Sequence, residues 1–400
     1  MAKRVVLAYS GGLDTSVAVR WMIDNYGVEV VALAVNVGQD GGKIDTALIH
    51  ERAKAAGAVD CEVVDARAEF ASDYLMPALK ANALYEGKYP LVSALSRPVI
   101  VKHLVDAAKR YGADAVAHGC TGKGNDQVRF EVSTRALNPD LEVLAPVRTW
   151  GMTREDSILY AYDHGIPISA TKEKLYSIDD NLWGRAIECG EMEDPWAVPP
   201  VGVWSLTKPT ATEPRDLAIS FERGVPVSVD GEAMDLLPLI EHVGSVVGSY
   251  GWGRLDMVEN RRVGIKSRET YECPSGLALI AAHQDLESIT HERDLAREKQ
   301  RLEIRYAELV YDGMWFSPLR SALDAFVEES QRFVTGDVRL HLEPGDCQVT
   351  GRRSAYSLYD YSLATYDAAD AFRHEDSAGF VRLWGLGLEV WAQKQNREAP

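Results

Sequence analysis

The sequence lacks the cysteine and histidine patterns that mark metal centres and disulfide frameworks. Its 5 cysteines are scattered and include no Cys-x-x-Cys pair, and its 9 histidines include no His-Glu-x-x-His. We therefore expect no zinc centre, no redox-active dithiol and no set of disulfides. Reduced thiols are typical of the cytoplasm, which is the predicted location.

Long apolar runs and an excess of basic charge are also missing. No run approaches the length of a membrane span, and residues 5–9, which follow Lys3 and Arg4, are too few for a signal peptide. The 60 acidic side chains outnumber the 43 basic ones, which gives a net charge of −17. We therefore expect neither nucleic acid nor a membrane as a partner, and an anionic substrate must be held by local donors.

A Walker phosphate loop is absent as well, because no Gly-Lys pair is followed by Ser or Thr. Instead, an apolar segment that predicts a buried strand leads into Ser-Gly-Gly-Leu-Asp-Thr-Ser at residues 10–16. Paired glycines let the backbone approach a ligand closely, and the helix that follows offers free N–H groups to an anion. Asp14, Thr15 or Ser16 is expected to cap this helix. An ordinary strand-to-helix turn is the alternative, but the sequence favours a site for nucleotide phosphates.

Strand and helix patterns alternate through the first part of the chain. Residues 28–35, 59–64 and 115–117 predict further strands, and residues 98–111 predict a helix. The alternation predicts an α/β fold with a doubly wound parallel sheet and with ligands at the carboxyl ends of its strands. We place this nucleotide-binding domain at residues 1–170.

The pattern changes after a proline-rich stretch that begins near residue 194. Residues 217–221 and 225–229 predict strands that precede an Asp-Gly hairpin turn, and residues 285–311 predict one long charged helix. We therefore expect a second domain of α+β type at residues 171–365. The apolar C-terminal helical tail, residues 366–400, is expected to dock on its own domain or on a neighbouring subunit.

A second glycine-rich segment at residues 118–131 repeats the order of strand, turn and helix. Thr121, Asn125, Asp126 and Arg129 place donors, acceptors and both charges within about two helical turns. That mixture suits an amino-acid zwitterion, because Arg129 can pair with a carboxylate and Asp126 can accept from an ammonium group. A solvated loop with a capping residue is the alternative.

Together these segments resemble a known family. The first loop is similar to the Ser-Gly-Gly-x-Asp-x-Ser signature of the N-type ATP pyrophosphatases, which have an adenine nucleotide alpha hydrolase-like fold. Within that superfamily, five segments in order resemble argininosuccinate synthetases: residues 8–16, 89–98, 118–130, 176–182 and 258–271. The resemblance implies an ATP-dependent ligation of citrulline and aspartate through citrullyl-AMP, with Mg²⁺ as cofactor and a homotetrameric assembly.

The resemblance also implies roles for individual residues. The residues that it assigns to ATP are Ala8, Tyr9, Ser10, Gly11, Gly12, Leu13, Asp14, Thr15, Ser16, Ala34 and Gly119. Those assigned to aspartate are Thr121, Asn125 and Asp126, and those assigned to citrulline are Tyr89, Asn125, Arg129, Ser177, Glu259 and Tyr271. Ala94 and Ala186 stand where some relatives have a serine that contacts citrulline, which puts these two contacts in doubt.

The catalytic assignments stay open at two points. Asp14 is a candidate for placing the Mg²⁺ ion, whose full set of ligands the sequence does not identify. The proton of the aspartate ammonium group could pass to Asp126 or to a substrate phosphate. The alternatives to this function are a non-catalytic ATP-binding sensor and another adenylating ATP pyrophosphatase.

Overall fold

A computed structural model describes residues 2–167 and 176–395 of the chain. The predicted domain boundary between residues 170 and 171 lies outside the described residues. The chain divides into two compact units, with the division between Tyr356 and Ser357.

The N-terminal part of the first unit contains a five-stranded parallel sheet. Its strands are β1 Arg4–Ala8, β2 Glu29–Asn36, β3 Asp60–Asp65, β4 Ala115–Ala117 and β5 Glu142–Leu144. Their order in the sheet is β3-β2-β1-β4-β5, and every neighbouring pair is parallel. The order reverses direction between β1 and β4, so a crevice is expected at the carboxyl ends of these two strands.

Both faces of this sheet are buried, as the apolar runs predict. Alternate residues of β1 enter different apolar cores: Val6 packs in one core, while Val5 and Leu7 pack in the other. Helices cover both faces, which confirms the predicted doubly wound α/β fold. The helices of this part are α1 Leu13–Tyr26, α2 Thr46–Ala55, α3 Arg67–Glu69, α4 Met76–Lys80, α5 Val92–Tyr111, α6 Asp126–Leu137, α7 Pro146–Thr149 and α8 Arg154–Asp163.

One of these helices begins earlier than predicted. We expected a start at Pro98, because proline favours the first helical turn, but α5 begins at Val92 and Pro98 lies inside it. The first turn of α5 packs Val92, Ala94 and Leu95 in the core, and this burial outweighs the one backbone hydrogen bond that proline removes.

The rest of the first unit is built on antiparallel sheets, as predicted for the α+β part. Its strands are β6 Ser177–Asn181, β7 Gly184–Glu188, β8 Arg215–Glu222, β9 Val225–Val229, β10 Glu232–Ala233, β11 Arg254–Asn260, β12 Lys266–Glu272, β13 Gly336–Glu343 and β14 Asp346–Arg353. One sheet has the order β10-β9-β8-β13-β14 and the other has the order β11-β12-β7-β6. Asp230 and Gly231, both with positive φ, form the predicted hairpin turn between β9 and β10.

The helices of this part are α9 Leu236–Ser249, α10 Pro274–Thr290, α11 Arg293–Tyr311 and α12 Pro318–Ser330. The prediction of one helix over residues 285–311 is wrong, because the chain turns at His291 and Glu292. Glu292 has an extended backbone, and its carboxylate accepts from the N–H groups of Asp294 and Leu295. This local cap starts a new helix inside a continuous charged pattern.

The second unit contains α13 Tyr361–Ala364 and α14 Asp376–Lys394. Large apolar side chains along α14 are exposed, among them Trp384 and Leu388. None of the helices that the structure describes is long and apolar enough to cross a membrane.

Candidate active site

The first glycine-rich loop joins β1 to α1 at the expected crevice. Tyr9 is buried, and its hydroxyl lies 2.9 Å from that of Ser16, which fixes the two ends of the loop. The Ser10 hydroxyl lies 3.0 Å from that of Thr15 and accepts from the N–H of Gly12 at 3.3 Å. Gly11 has a φ of +72°, a conformation that favours glycine.

No side chain caps α1, so the expected cap by Asp14, Thr15 or Ser16 is wrong. The helix begins at Leu13, which places all three residues inside its first turns, and the capping position falls on Gly12. Glycine has no side chain to bond the first N–H groups, so these groups stay available to a ligand. An uncapped N-terminus of a 14-residue helix is a good environment for an anion.

Side chains hold the second glycine-rich loop through hydrogen bonds to its carbonyl groups. The Gln127 amide donates to the carbonyl oxygens of Gly122 at 2.6 Å and of Gly124 at 3.2 Å. Arg148 donates to the Gln127 amide oxygen at 3.0 Å and to the Glu131 carboxylate at 2.5 Å. Because its carbonyl groups are bonded on this side, the loop keeps a fixed shape.

The two loops lie against each other at the switch point of the sheet. A Cβ built on Gly119 would lie 3.0 Å from the Thr15 methyl group, which is closer than nearly all real contacts of this kind. A side chain at position 119 would therefore force the Thr15 methyl group to move. Ala34 lies near the end of β2, beside Leu33, whose carbonyl accepts from the Tyr9 N–H at 2.8 Å. The structure thus brings the predicted ATP residues together.

Asp126, at the start of α6, is bonded by two arginines. Arg129 donates to one carboxylate oxygen at 2.8 Å, and Arg97 donates to the other at 2.7 Å. Arg97 also donates to Asp179 of β6 at 2.6 Å. Burial alone would raise the pKa of Asp126, but the two guanidinium groups outweigh it and lower this pKa to about 2. Asp126 is therefore a carboxylate at neutral pH and a weak base.

A buried cluster connects the second loop to the antiparallel sheet. Glu259 of β11 accepts from the Tyr271 hydroxyl at one carboxylate oxygen and from the Tyr311 hydroxyl, at 2.6 Å, at the other. The Asn125 amide donates to the Tyr311 hydroxyl at 2.8 Å and accepts from the N–H of Arg262 at 2.9 Å. The predicted citrulline residues Asn125, Glu259 and Tyr271 therefore lie in one network.

Aromatic rings form the walls of this cluster. Tyr89 stacks on Tyr271 with ring centroids 4.2 Å apart, and Tyr85 stacks on Tyr311 at 3.6 Å. The guanidinium of Arg129 lies over the Tyr311 ring at 5.0 Å from its centroid. Burial raises the pKa of Tyr89 and Tyr271, so their hydroxyl groups stay protonated.

A close backbone contact fixes Arg129 against the end of α11. Its Nε donates to the Tyr311 carbonyl at 3.0 Å. Gly313 follows α11, has a φ of +76° and packs on Arg129. A Cβ at position 313 would lie 2.9 Å from the Arg129 Cα. Glycine at position 313 therefore allows α6 and the end of α11 to touch.

Some predicted residues lie outside these hydrogen-bonded clusters. Ser177 is exposed at the start of β6, two residues before Asp179, which pairs with Arg97. Thr121 is exposed on the second loop. Ala186 pairs with Tyr271 across the sheet and Ala94 is buried in α5, so neither position offers a side-chain hydrogen-bond donor.

The sequence interpretation missed two residues at the centre of the site. Tyr311 appeared only as the end of a charged helical segment, and no motif marked it. Arg97 lies inside the matched segment 89–98, which was a usable signal, but its partners Asp126 and Asp179 are distant in sequence. Only the fold shows that these residues meet.

Comparisons with known proteins identify the family of the chain. Residues 4–167 match the model of the argininosuccinate synthase N-terminal HUP domain, and residues 176–391 match that of the C-terminal domain. The chain is 55% identical over 391 residues to the argininosuccinate synthase of Bacillus pumilus, covering 97% of this chain and 96% of that protein. It is also 55% identical over 400 residues to that of Symbiobacterium thermophilum, covering 99% of each.

Among solved structures, a U34-tRNA thiolase from Methanococcus maripaludis aligns with a TM-score of 0.27 and 15% identity. The alignment covers 43% of this chain and 60% of the thiolase chain. The family models and the two relatives, which cover nearly the whole chain, confirm the resemblance predicted from the glycine-rich loops. The chain belongs to the argininosuccinate synthase family.

Proposed function

We propose that this protein catalyses the ATP-dependent ligation of L-citrulline and L-aspartate to argininosuccinate, with release of AMP and pyrophosphate, as a step of arginine biosynthesis. One observation carries the proposal: the uncapped N-terminus of α1 lies beside a loop that leads directly into a buried cluster of opposite charges. The first feature suits nucleotide phosphates, and the second suits an amino-acid zwitterion. Membership of the argininosuccinate synthase family supports the same assignment.

In this proposal, the buried cluster selects citrulline. Glu259 accepts from its α-ammonium group, while Arg129 and Asn125 bind its α-carboxylate. The stacked rings of Tyr89 and Tyr271 pack along its aliphatic chain. Ser177, exposed on β6, is the remaining proposed citrulline contact.

The first half-reaction activates the ureido oxygen of citrulline, because that oxygen is a poor leaving group. The oxygen attacks the α-phosphorus of ATP, the bond to the β-phosphate breaks, and citrullyl-AMP and pyrophosphate form. Free N–H groups at the start of α1, together with the hydroxyls of Ser10, Thr15 and Ser16, stabilise the charge that develops on pyrophosphate. The protein contributes orientation and charge stabilisation rather than a covalent intermediate.

In the second half-reaction, the aspartate amine attacks the ureido carbon and AMP leaves. We propose that Thr121, Asn125 and Asp126 hold aspartate. The low pKa of Asp126, about 2, and the bonding of both its oxygens to arginines disfavour it as the proton acceptor. A substrate phosphate is then the better acceptor, and Asp126 orients the ammonium group before its proton leaves.

Mg²⁺ is the proposed cofactor. Within the described residues, no group of three or more His, Cys, Asp or Glu side chains is arranged to hold a metal ion. A magnesium ion that binds with a nucleotide needs only one or two carboxylates beside the phosphates, and exposed Asp14 in the first turn of α1 meets this requirement. When bound, the ion neutralises charge on the phosphates.

The proposal extends to the architecture. We assign ATP binding to residues 1–170, substrate binding to residues 171–365 and oligomerisation to residues 366–400. The exposed apolar residues of α14 favour a packing role for the tail in a homotetramer, which acts in the cytoplasm. Removal of residues 366–400 should lower the number of subunits per particle, obtained as the molar mass from sedimentation divided by the mass of one shortened chain. An unchanged number of subunits would contradict this role.

Isotope transfer tests the reaction directly. Citrulline that carries ¹⁸O in its ureido group is incubated with ATP, Mg²⁺ and aspartate, and the AMP is analysed by mass spectrometry. The label should appear in the AMP phosphate, because the ureido oxygen leaves with AMP, and pyrophosphate should form only when citrulline is present. Unlabelled AMP would contradict the proposal and favour another adenylating ATP pyrophosphatase, and no nucleotide turnover would favour an ATP sensor. Release of ADP would contradict all three.

A further inference from the structure

Tyr311 lies at the junction of the groups proposed to bind the two amino acids. It is the last residue of α11, it is buried, and no motif or matched segment marks it. Its hydroxyl donates to Glu259 at 2.6 Å and accepts from the Asn125 amide at 2.8 Å. Asn125 is proposed to bind both aspartate and citrulline, whereas Glu259 is proposed to bind citrulline alone.

The direction of these hydrogen bonds is fixed along the whole chain of groups. The backbone N–H of Arg262 donates to the Asn125 amide oxygen at 2.9 Å, so the amide nitrogen must face Tyr311. That nitrogen can only donate, and therefore the Tyr311 hydroxyl must direct its own proton to Glu259. A backbone group thus determines the orientation of a buried carboxylate through two side chains.

The ring and the carbonyl of Tyr311 hold Arg129 independently of the hydroxyl. The carbonyl accepts from the Arg129 Nε at 3.0 Å, and the ring lies under the guanidinium. Stacking on Tyr85 keeps the ring in place. Tyr311→Phe therefore removes the two hydrogen bonds of the hydroxyl and leaves the contacts of the ring and the carbonyl to Arg129.

The Tyr311 hydroxyl helps to keep the buried Glu259 ionised. Burial raises the pKa of Glu259, and hydrogen bonds from Tyr271 and Tyr311 and the charges of Arg129 and Arg261 oppose that rise. The ionisable groups that face it are Tyr85, Tyr89, Arg129, Arg261, Glu269, Tyr271 and Tyr311. Loss of one donor makes protonation of Glu259 easier.

We propose that Tyr311 is a positioning residue: its hydroxyl keeps Glu259 oriented as the acceptor for the α-ammonium group of citrulline and ties that acceptor to Asn125. This inference rests on the proposed function, because it takes citrulline as the ligand of the cluster. Tyr311 itself acts through Glu259 and Asn125.

The test compares Tyr311→Phe with Tyr306→Phe. Tyr306 is a matched control, because it lies on the same helix, is buried, and donates to a carboxylate, that of Asp324, at 2.9 Å. Tyr311→Phe should raise the KM for citrulline about tenfold, the effect of one hydrogen bond to a charged group, and change the KM for ATP less than twofold. Tyr306→Phe should change neither KM.

Two further measurements separate positioning from a structural role. The acidic limb of the kcat/KM profile for citrulline should move to higher pH in Tyr311→Phe, because Glu259 then takes up a proton more readily. 5-Ureidopentanoate, which is citrulline without its α-amino group, should inhibit the wild type and Tyr311→Phe equally, since it offers Glu259 no ammonium group.

The outcomes are distinguishable. If the wild type forms no AMP with citrulline, the proposed function fails. If the wild type is active but Tyr311→Phe has the same KM for citrulline as the wild type, the role of Tyr311 is overturned. It is also overturned if the substitution weakens the binding of 5-ureidopentanoate as much as the binding of citrulline. Equal losses in the two Phe variants would also overturn it, because they would show a general loss of packing.

Discussion

The two glycine-rich loops follow adjacent parallel strands and face the same crevice, but they are built differently. The first loop, residues 10–16, presents the uncapped N-terminus of α1, with short hydroxyl side chains around it. In the second loop, the Gln127 amide bonds the carbonyl groups of Gly122 and Gly124, and Arg148 and Glu131 extend this brace. The first loop leaves the N–H groups at the start of α1 without a side-chain cap, whereas carbonyl groups of the second loop are bonded by the Gln127 side chain.

This difference follows from the ligands. A phosphate group spreads its negative charge over equivalent oxygens. A row of N–H groups at the positive end of a helix dipole is therefore sufficient to bind it. An amino acid must be distinguished by the directions of its charges, and this requires side chains in fixed positions. We therefore expect substitutions in the two regions to affect different substrates.

The largest effect is expected from Arg129→Ala, beyond the second loop. The change removes the proposed partner of the citrulline carboxylate and leaves Asp126 with one guanidinium fewer. Charge-assisted hydrogen bonds contribute about 1.5–3 kcal/mol each, so the KM for citrulline should rise about 100-fold in steady-state assays. The KM for ATP should stay within a factor of about three.

Arg135→Ala is the matched control, because Arg135 lies on the same helix with its side chain exposed. It should leave both constants unchanged. Equal losses for citrulline and ATP in Arg129→Ala would show that the two loops do not divide the substrates in this way.

A smaller effect is expected from Gln127→Glu. The carboxylate can still accept from Arg148, but it no longer donates to the carbonyl groups of Gly122 and Gly124. Two neutral hydrogen bonds are lost, so the KM for aspartate should rise about tenfold, while the KM for ATP stays nearly constant. Gln348→Glu, at an exposed site on β14, serves as the control. An unchanged KM for aspartate would mean that the brace does not position the loop.

The smallest effect is expected in the first loop. Ser10→Ala removes one hydroxyl that bonds Thr15 and the N–H of Gly12, but the backbone groups remain. The KM for ATP should rise about threefold and the constants for the amino acids should not change, as measured beside the exposed control Ser72→Ala. A rise of 100-fold would show that side chains dominate this loop too.

The fold was predictable where the pattern is local. Five consecutive apolar or small residues before Ser10 predicted a strand buried on both faces, and the alternation of strands and helices predicted the parallel sheet. The break between α10 and α11 was not predictable in this way. Glu292 lies in a charged run, and its carboxylate caps α11 only because its backbone is extended at that point. Likewise, glycine at position 12 predicted a turn but not that α1 would be uncapped.

The part of the site that lies on the antiparallel sheet was predictable only through the family resemblance. Glu259 and Tyr271 resemble ordinary surface or strand residues in the sequence, and their burial becomes visible only when β11 and β12 pair. Tyr311 is 186 residues from Asn125 in the chain. Contacts over such separations are set by the packing of the whole unit, which a local pattern does not contain. The individual substrate roles stay predictions until the variants are measured.

The contact between Arg129 and the Tyr311 carbonyl has a consequence for how the site depends on the whole chain. The C-terminal end of a helix carries about half an elementary negative charge, and Arg129 lies at that end of α11. The arginine therefore serves as a charged cap for a helix nearly two hundred residues away in the chain. It is already oriented before any amino acid binds, so little binding energy is spent on ordering it. The C-terminal half thus fixes the direction of a charged group that the N-terminal half supplies.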